Sequence, residues 1–409
     1  MQLPRMVRVR QRFADEHIDD VAAVIRSQMA EVGLAARLRP GARVAITAGS
    51  RGIFQIDRIT RAVVDAVREA GGKPFIVPAM GSHGGATAEG QREVLAGYGI
   101  TESSMDCPIL SSMETVVLGM TPGGATVHMD KNAYNADHTI VVGRVKAHTA
   151  FRGPIESGLC KMIAVGLGKQ RGAEEMHARG LGENIPAAAA LAIEKANILL
   201  GVAIVENSYD HTHTIRVVPP ERIHDTDREL LVLANSLLPR VPFDALDTLI
   251  VDWMGKNISG SGMDYNIIGM WRRIGGPRIP DYKRIVVLDL TPESHGNGLG
   301  VGAADFTTKK LVQKLDLRKM YMNCLTSNAI DAGKIPITLD TDREAIEAAI
   351  KSAGVRHGDD ARVVRIKSTL HLDELQVSEA LLDEVRRNPN LEIIGEPEPM
   401  RFDEQGNLL

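Results

Sequence analysis

Short apolar runs alternate with amphipathic segments along most of the chain, and this alternation limits the folds that the chain can adopt. The first half contains five apolar runs that predict strands, at 43–48, 75–77, 139–142, 201–206 and 214–218. The segments between and beside them predict helices, at 57–70, 87–98 and 186–200. A strand–helix–strand order favours an open, mostly parallel sheet covered by helices. The sequence therefore predicts an α/β fold.

A polar, proline-containing stretch at 239–243 separates this half from a second series of predicted elements. Those strands and helices lie at 248–252, 284–290, from about 306, 343–352, 362–367 and 380–387. A chain of 409 residues is long enough for two domains. We therefore predict two α/β domains with mostly parallel sheets, 1–243 and 244–409, that face each other across a cleft. Ligands are expected in that cleft, at the carboxyl ends of the strands.

The composition excludes several classes of function. The formal net charge of −4 does not provide the positive surface that unspecific binding of nucleic acid requires. An aromatic content of 4% argues against a surface on which bases could stack. The three cysteines are far apart, so neither a disulfide framework nor a cysteine-rich zinc site is predicted. No signal peptide and no membrane-spanning run of about 20 apolar residues is recognisable. We expect a cytoplasmic enzyme without a nucleic-acid or membrane partner, and the sequence leaves its oligomeric state open.

Three loops that follow predicted strands are rich in glycine and polar groups. They are 48–52, with Ser50 and Arg51, then 81–85, with His83, and 145–149, with His148. An imidazole at the end of a strand can exchange protons near neutral pH, and neighbouring glycines let a ligand approach the backbone. The alternative is that each histidine lies on a glycine-rich surface turn and has no catalytic role.

The stretch 151–161 resembles a phosphate-binding loop, but it lacks the required Gly-Lys-Ser/Thr sequence. Lys161 is followed by apolar residues, and burial there would favour a neutral, nucleophilic amine. The alternative is a lysine that extends from a half-buried helix to solvent. His177 further along is a candidate metal ligand or a surface histidine, whereas His211 and His213 are assigned no metal. The glycine-rich loop 296–302 does not match the dinucleotide-binding pattern.

Taken together, His83, His148, Lys161 and His177 resemble the site of the lactate racemase family. The resemblance extends from the N-terminal region to His177 and returns at 260–266. It implies a nickel-pincer nucleotide, attached covalently to Lys161 through a thioamide bond, with nickel bound by His177. It also implies that His83 and His148 act as alternating acid and base in the racemisation or epimerisation of a 2-hydroxy acid. The implied partners are this substrate and the enzymes that make the cofactor.

The resemblance further implies cofactor contacts from a small set of polar residues: Ser50, Arg51, Asp264, Asn266 and Arg272. Some positions depart from the family pattern. Gly49 stands in the loop where an aspartate is usual, Arg272 replaces a lysine, and Ile268-Gly269 replace a Tyr-Gln pair. These changes predict a substrate other than lactate, such as a larger 2-hydroxy acid. Two alternatives remain: a non-catalytic ligand-binding relative, and an α/β oxidoreductase or phosphotransferase that uses a diffusible nucleotide.

Overall fold

The computed structural model describes residues 2–409. The chain divides into two compact units. The central unit is Ala14–Leu238, and the terminal unit combines the residues up to Phe13 with Pro239–Leu409. Each unit has its own sheet. No helix of residues 2–409 has the length and apolar character that crossing a membrane requires.

The strands are β1 (Arg5–Gln11), β2 (Arg43–Ala48), β3 (Lys73–Pro78), β4 (Thr115–Met120), β5 (Thr126–Asp130), β6 (His138–Arg144), β7 (Ile198–Glu206), β8 (Thr212–Val218), β9 (Ala245–Met254), β10 (Asp281–Leu290), β11 (Phe306–Thr308), β12 (Ile337–Leu339), β13 (Val363–Ser368), β14 (His371–Ser378), β15 (Leu391–Ile393) and β16 (Glu398–Pro399).

The helices are α1 (Val21–Glu31), α2 (Leu34–Arg37), α3 (Ile56–Glu69), α4 (Ala88–Gly97), α5 (Glu102–Met105), α6 (Lys131–Tyr134), α7 (Leu159–Lys161), α8 (Lys169–Arg179), α9 (Leu181–Lys195), α10 (Ile223–Ser236), α11 (Tyr265–Ile268), α12 (Trp271–Ile274), α13 (Lys309–Gln313), α14 (Leu317–Thr326), α15 (Asp342–Ser352) and α16 (Leu382–Arg387). A π-helical segment, Met162–Gly166, follows α7.

The central unit contains a five-stranded sheet in the order β3-β2-β6-β7-β8. The first four strands are parallel, and β8 is antiparallel to β7. Successive residues of β2 point to opposite faces, so Ile46 joins one apolar cluster and Ala45 joins the other. Both faces are therefore covered, which explains why β2 reads as a continuous apolar run. A separate hairpin, β4–β5, completes the strands of this unit.

The terminal unit contains a nine-stranded mixed sheet. Its parallel part has the order β12-β11-β10-β9-β13, and β14, β1 and β15 continue it in antiparallel fashion. The first strand belongs here because β1 pairs with β14, from Met6 opposite Ser378 to Arg10 opposite Glu374. The division predicted at residue 243 had assigned this strand to the other domain, and the ladder hydrogen bonds explain the difference.

The predicted α/β character is present in both units, although some element bounds differ. The sheet of the central unit is mostly parallel, whereas the sheet of the terminal unit is parallel only from β12 to β13 and antiparallel beyond β13. The helix predicted at 186–200 is α9, which begins at Leu181 and contains Pro186 in its first turns. Its predicted last residues are strand β7, since Ile198 to Leu200 pair with β6 and are buried. The helix predicted from about 306 is preceded by β11, a short strand parallel to β10. The sequence analysis did not predict β1 or the β4–β5 hairpin.

Candidate functional site

Three loops leave the central sheet at the same edge. They follow β2, β3 and β6, which are neighbouring parallel strands, so their carboxyl ends point in one direction. The first loop carries Ser50 and Arg51, the second carries His83, and the third carries His148. The strand order therefore places four of the predicted site residues along one edge of the sheet.

The first two loops are in contact through Ser50 and His83. The Ser50 hydroxyl forms a short hydrogen bond with Nδ1 of His83. Tyr98 in turn donates its hydroxyl proton to the backbone oxygen of Ser50 at 2.9 Å. The side chain of His83 remains exposed. These contacts hold one edge of the imidazole in place while leaving the ring accessible to solvent.

A buried polar network supports the loop of His83 from below. Gln91 donates from Nε2 to the backbone oxygens of Gly81 and His83, at 2.8 and 3.2 Å. The amide oxygen of Gln91 accepts a hydrogen bond of 3.1 Å from Nζ of Lys169, which also donates to the backbone oxygen of Pro78. Neither side chain was predicted to belong to the site, because both meet the loop only after the chain folds.

Lys169 is completely buried and forms an ion pair of 3.1 Å with the buried Asp130. Burial lowers the pKa of Lys169, and the attraction of Asp130 opposes this shift. Burial likewise raises the pKa of Asp130, and Lys169 opposes that shift in turn. A buried charge needs such a partner, because removing one member leaves the other unpaired in a medium of low polarity. Lys169 is therefore a structural lysine.

Lys161 lies at the end of a single helical turn, α7, that a buried carboxylate holds in place. Asp227 of α10 accepts hydrogen bonds from the backbone N–H groups of Leu159 and Cys160, at 2.9 and 2.8 Å. Burial raises the pKa of Asp227 to about 6. Gly158 precedes the turn with a φ of +93°, and a Cβ there would overlap Asp227 Oδ1. The position therefore requires glycine, and Asp227 positions the turn that carries Lys161.

The π-helical segment after Lys161 packs against the loops at the edge of the sheet. Gly81 donates its backbone N–H to the oxygen of Gly166 at 3.2 Å, which joins this segment to the loop of His83. Met162 packs against Gly49 and Gly143, where an added Cβ would lie 3.4 Å from Met162 Cε and 2.7 Å from Met162 Cγ, respectively. A larger side chain at position 49 would meet Met162, so the unusual Gly49 fits this packing.

Arg51, Lys161 and His177 lie close enough to influence one another's ionisation. Burial lowers the pKa of Lys161 to about 8, and the positive charge of Arg51 contributes to this shift. The surrounding protein lowers the pKa of His177, and the positive charge of Lys161 adds to the effect. Lys161 therefore lies within electrostatic range of both Arg51 and His177. The repulsion raises the neutral fraction of the Lys161 amine and of the His177 imidazole, and it favours an anionic ligand.

His148 is held by the loop that follows β6. Its backbone N–H donates to Glu156 Oε2 at 2.8 Å, and its ring nitrogen Nδ1 accepts the N–H of Ala150 at 3.1 Å. Phe151 packs against the imidazole, with ring centroids 4.5 Å apart. Arg152 donates to the backbone oxygen of His148 at 2.8 Å and pairs with Glu156 at 3.1 Å. The ring is therefore oriented by its own loop.

The remaining predicted residues belong to the terminal unit. Asp264 caps α11 by accepting the backbone N–H of Asn266 at 2.8 Å, and it also accepts a hydrogen bond from the Asn266 side chain. The guanidinium of Arg272 donates to the backbone oxygens of Ala303 and Tyr282 at 2.9 and 2.7 Å. It also pairs with Asp305 at 3.0 Å. These contacts occupy the terminal nitrogens with which Arg272 would bind a carboxylate or phosphate.

Comparison with protein families gives one match in this region. Residues 6–188 match the model of the lactate racemase N-terminal domain, and this range includes His83, His148, Lys161 and His177. The chain is therefore lactate racemase-like. The recognition made from these four residues is confirmed. No curated protein sequence matches the chain.

A solved structure supports the same relationship at the level of the fold. The chain is similar to the lactate racemase apoprotein from Thermoanaerobacterium thermosaccharolyticum, with a TM-score of 0.52 and 14% sequence identity. The match covers 90% of this chain and 99% of that chain. The predicted α/β fold class is thereby confirmed for this lactate racemase-like chain.

Proposed function

We propose that this chain is a racemase or epimerase that acts on a 2-hydroxy acid with a nickel-pincer nucleotide tethered to Lys161. The observation that carries the proposal is the shared neighbourhood of Lys161, His177 and Arg51 beside the loop of His83. With a pKa of about 8, Lys161 is neutral in roughly one molecule in ten at pH 7, far more often than an ordinary lysine, and this makes it a better nucleophile. The match to the lactate racemase N-terminal domain supports the same assignment.

The donor set at His177 fits a cofactor-bound metal better than a site built by protein alone. Within residues 2–409, the one cluster of three potential metal ligands does not include His177. A metal at His177 would therefore take most of its ligands from a bound group. A lowered pKa keeps the imidazole neutral, as a metal ligand must be. The residues present fit the proposed cofactor, which accepts and returns hydride when it is bound.

In the proposed mechanism, Lys161 holds the cofactor and His177 binds its nickel. His83 and His148 exchange the proton of the substrate hydroxyl, one for each stereoisomer, which explains why two histidines are needed. Nδ1 of His83 is engaged by Ser50, and Nδ1 of His148 accepts the N–H of Ala150. These contacts orient each ring for the proposed exchange.

Arg51 is the best candidate for the carboxylate or phosphate contact among the arginines considered. Arg152 is paired with Glu156, and Arg272 is paired with Asp305. No ion pair of Arg51 occurs within residues 2–409. The pKa of Arg51 is lowered by burial and by the positive charge of the nearby Arg144. An anionic ligand would therefore relieve the repulsion between the two arginines. Bidentate pairing with a planar guanidinium suits a carboxylate. We propose cofactor contacts also for Ser50, Asp264 and Asn266.

The substrate is proposed to be a 2-hydroxy acid other than lactate. The support is the departure from the family pattern at Gly49, which packs against the end of the Met162 side chain. Ile268, which replaces a polar residue, is buried and apolar. The enzymes that make the cofactor are the proposed partners of the chain in its maturation.

The test is to mature the protein together with the cofactor pathway and to measure the intact mass, the nickel content and the activity. Wild type should gain a covalent mass increase that maps to Lys161, and it should convert single enantiomers or epimers from a panel of 2-hydroxy acids. Lys161→Ala should lose the mass increase, while the control Lys131→Ala, on a surface ion pair with Glu114, should retain it. A mass increase that persists in Lys161→Ala would overturn the tether. Full loading without isomerisation of any substrate would favour a ligand-binding relative.

A further inference from the structure

A second group of metal-binding side chains lies in the central unit, and it does not involve Lys161 or His177. Asp15, His17 and His211 each offer a ligand atom, and these atoms all lie within 4.8 Å of one another. Asp15 and His17 lie in the segment before α1, and His211 lies in the turn between β7 and β8. No metal was predicted for His211, which was expected to lie on the hairpin turn after Asp210, and its two partners lie far away in the sequence.

One carboxylate oxygen stands between the two imidazoles. Oδ1 of Asp15 is 3.4 Å from Nδ1 of His211 and 3.6 Å from Nδ1 of His17. Ligand atoms bound at about 2.0–2.1 Å to one tetrahedral ion are separated by slightly more than 3 Å, so these spacings are close to those of a coordinated set. Nδ1 of His17 also lies 2.6 Å from the backbone oxygen of Asp15, and metal binding would replace that hydrogen bond.

The outer contacts of His17 are those of a metal-binding histidine. Its second ring nitrogen, Nε2, lies 3.3 Å from Oδ1 of Asp19. Histidine ligands commonly donate their other N–H to a carboxylate, which fixes the tautomer and makes the coordinating nitrogen more basic. His211 is supported differently, by Phe54, whose ring centroid is 4.9 Å away.

Backbone contacts hold the two ligand-bearing segments beside each other. Ile18, next to His17, donates its N–H to the backbone oxygen of Thr212 at 2.7 Å. Asn207 donates from its side chain to the backbone oxygen of Glu16 at 3.1 Å and accepts the N–H of His211 at 3.0 Å. The ligands are therefore brought together by the fold, and little ordering would be needed when an ion binds.

We propose that Asp15, His17 and His211 form a binding site for a late first-row divalent cation, of which Zn²⁺ is the type. Two imidazole nitrogens and one carboxylate oxygen suit Zn²⁺, Co²⁺ or Ni²⁺ rather than Mg²⁺ or Ca²⁺, which prefer oxygen ligands. The side chains of His17 and His211 are about one third exposed, so water can complete the coordination. By binding residues of both, the ion would link the segment before α1 to the turn after β7. This site is independent of the proposed function.

The test is calorimetric titration of the chelator-treated full-length protein with Zn²⁺, together with the absorption spectrum of the Co²⁺ form and the thermal midpoint. Wild type and His177→Ala should bind one equivalent of Zn²⁺ alike, which separates this site from the proposed catalytic one. His17→Ala, His211→Ala and Asp15→Asn should each weaken binding at least about tenfold, since even outer contacts of a metal contribute about 10–100-fold.

The matched control is His213→Ala, because His213 lies in β8 two residues after His211 but bonds Thr214 at 2.7 Å. It should bind Zn²⁺ like wild type, and Zn²⁺ should raise the thermal midpoint of both proteins, as ligands of the folded state do. The midpoint of His17→Ala should not respond. Unchanged Zn²⁺ affinity in His17→Ala and His211→Ala, or the absence of saturable binding to wild type, would overturn the proposal.

Discussion

Lys161 and Lys169 stand close together in the sequence, on either side of the π-helical segment, yet their surroundings are opposite. Lys169 is fully buried against Asp130 and serves the loop of His83 through Gln91. Lys161 has no ion pair within residues 2–409, and its neighbours Arg51 and His177 are basic. The comparison indicates a structural role for Lys169, which has a buried acidic partner, and it predicts higher reactivity for Lys161, which has basic neighbours.

The largest expected contrast between the two lysines is in acylation of the native protein by a small amine reagent at pH 8. With a pKa of about 8, roughly half of Lys161 is unprotonated there, against well below about 1% of an ordinary lysine. Peptide mass mapping should find Lys161 modified faster than the exposed control Lys131, and Lys169 unmodified. Equal rates for Lys161 and Lys131, or modification of native Lys169, would contradict the comparison.

Removing the two amines should affect stability differently. Lys169→Met leaves Asp130 buried without its partner, so we expect a loss of about 3–5 kcal/mol in the free energy of unfolding. Lys161→Met removes a charge that has only basic neighbours, so its stability at pH 7 should equal or exceed that of wild type. Urea unfolding of both variants provides the measurement. A double variant, Lys169→Met with Asp130→Leu, should recover part of the loss.

The role of Asp227 beneath Lys161 is tested by two glycines with nearly the same φ. Gly158 and Gly180 have φ values of +93° and +94°, but a Cβ would overlap Asp227 only at Gly158, and at Gly180 it would meet open space. Each alanine variant should carry a backbone cost of about 1–3 kcal/mol. Gly158→Ala should be less stable than Gly180→Ala by a further ~1–3 kcal/mol, because the bonds to Asp227 are disturbed. Gly158→Ala should also slow the acylation of Lys161, whereas Gly180→Ala should leave the rate of acylation unchanged.

The last expected effect is a dependence of stability on pH. The pKa of Lys161 falls from its ordinary value of 10.5 to about 8, so the unfolded chain binds more protons than the folded one between these values. The contribution of Lys161 to the free energy of unfolding therefore rises as the pH rises from about 8 to 10.5, and it is lowest below pH 8. The advantage of Lys161→Met over wild type should shrink as the pH approaches 10.5. A constant difference would show that Lys161 has an ordinary pKa.

Much of the fold and part of the candidate site follow from local sequence. The strand that ends at Ala48 and the helix α4 with its cap at Thr87 are visible as an apolar run and a capping residue. The loop positions of His83 and His148 follow from the same pattern. The end of the helix predicted at 186–200 was wrong, because pairing with β6 makes Ile198 a strand residue.

The supporting residues could not be predicted, because their roles depend on contacts between distant segments. Gln91 is an ordinary polar residue of an amphipathic helix until its side chain meets the loop of His83. Asp227 lies on α10, and only the folded chain brings it to the turn of Lys161. The proximity of His17 and His211 could not be predicted either, because these residues also lie on distant segments of the chain. Local patterns identify groups capable of chemistry, and tertiary packing decides which of them are held in place.

The pairing of β1 with β14 has a consequence for the order in which the chain can fold. β1 finds its partner only after the central unit has been synthesised, since Met6 lies opposite Ser378. The whole central unit is complete before that ladder can close, and its sheet needs no residue of the terminal unit. We therefore expect the central unit to fold before β14 has been synthesised, with β1 unpaired until then.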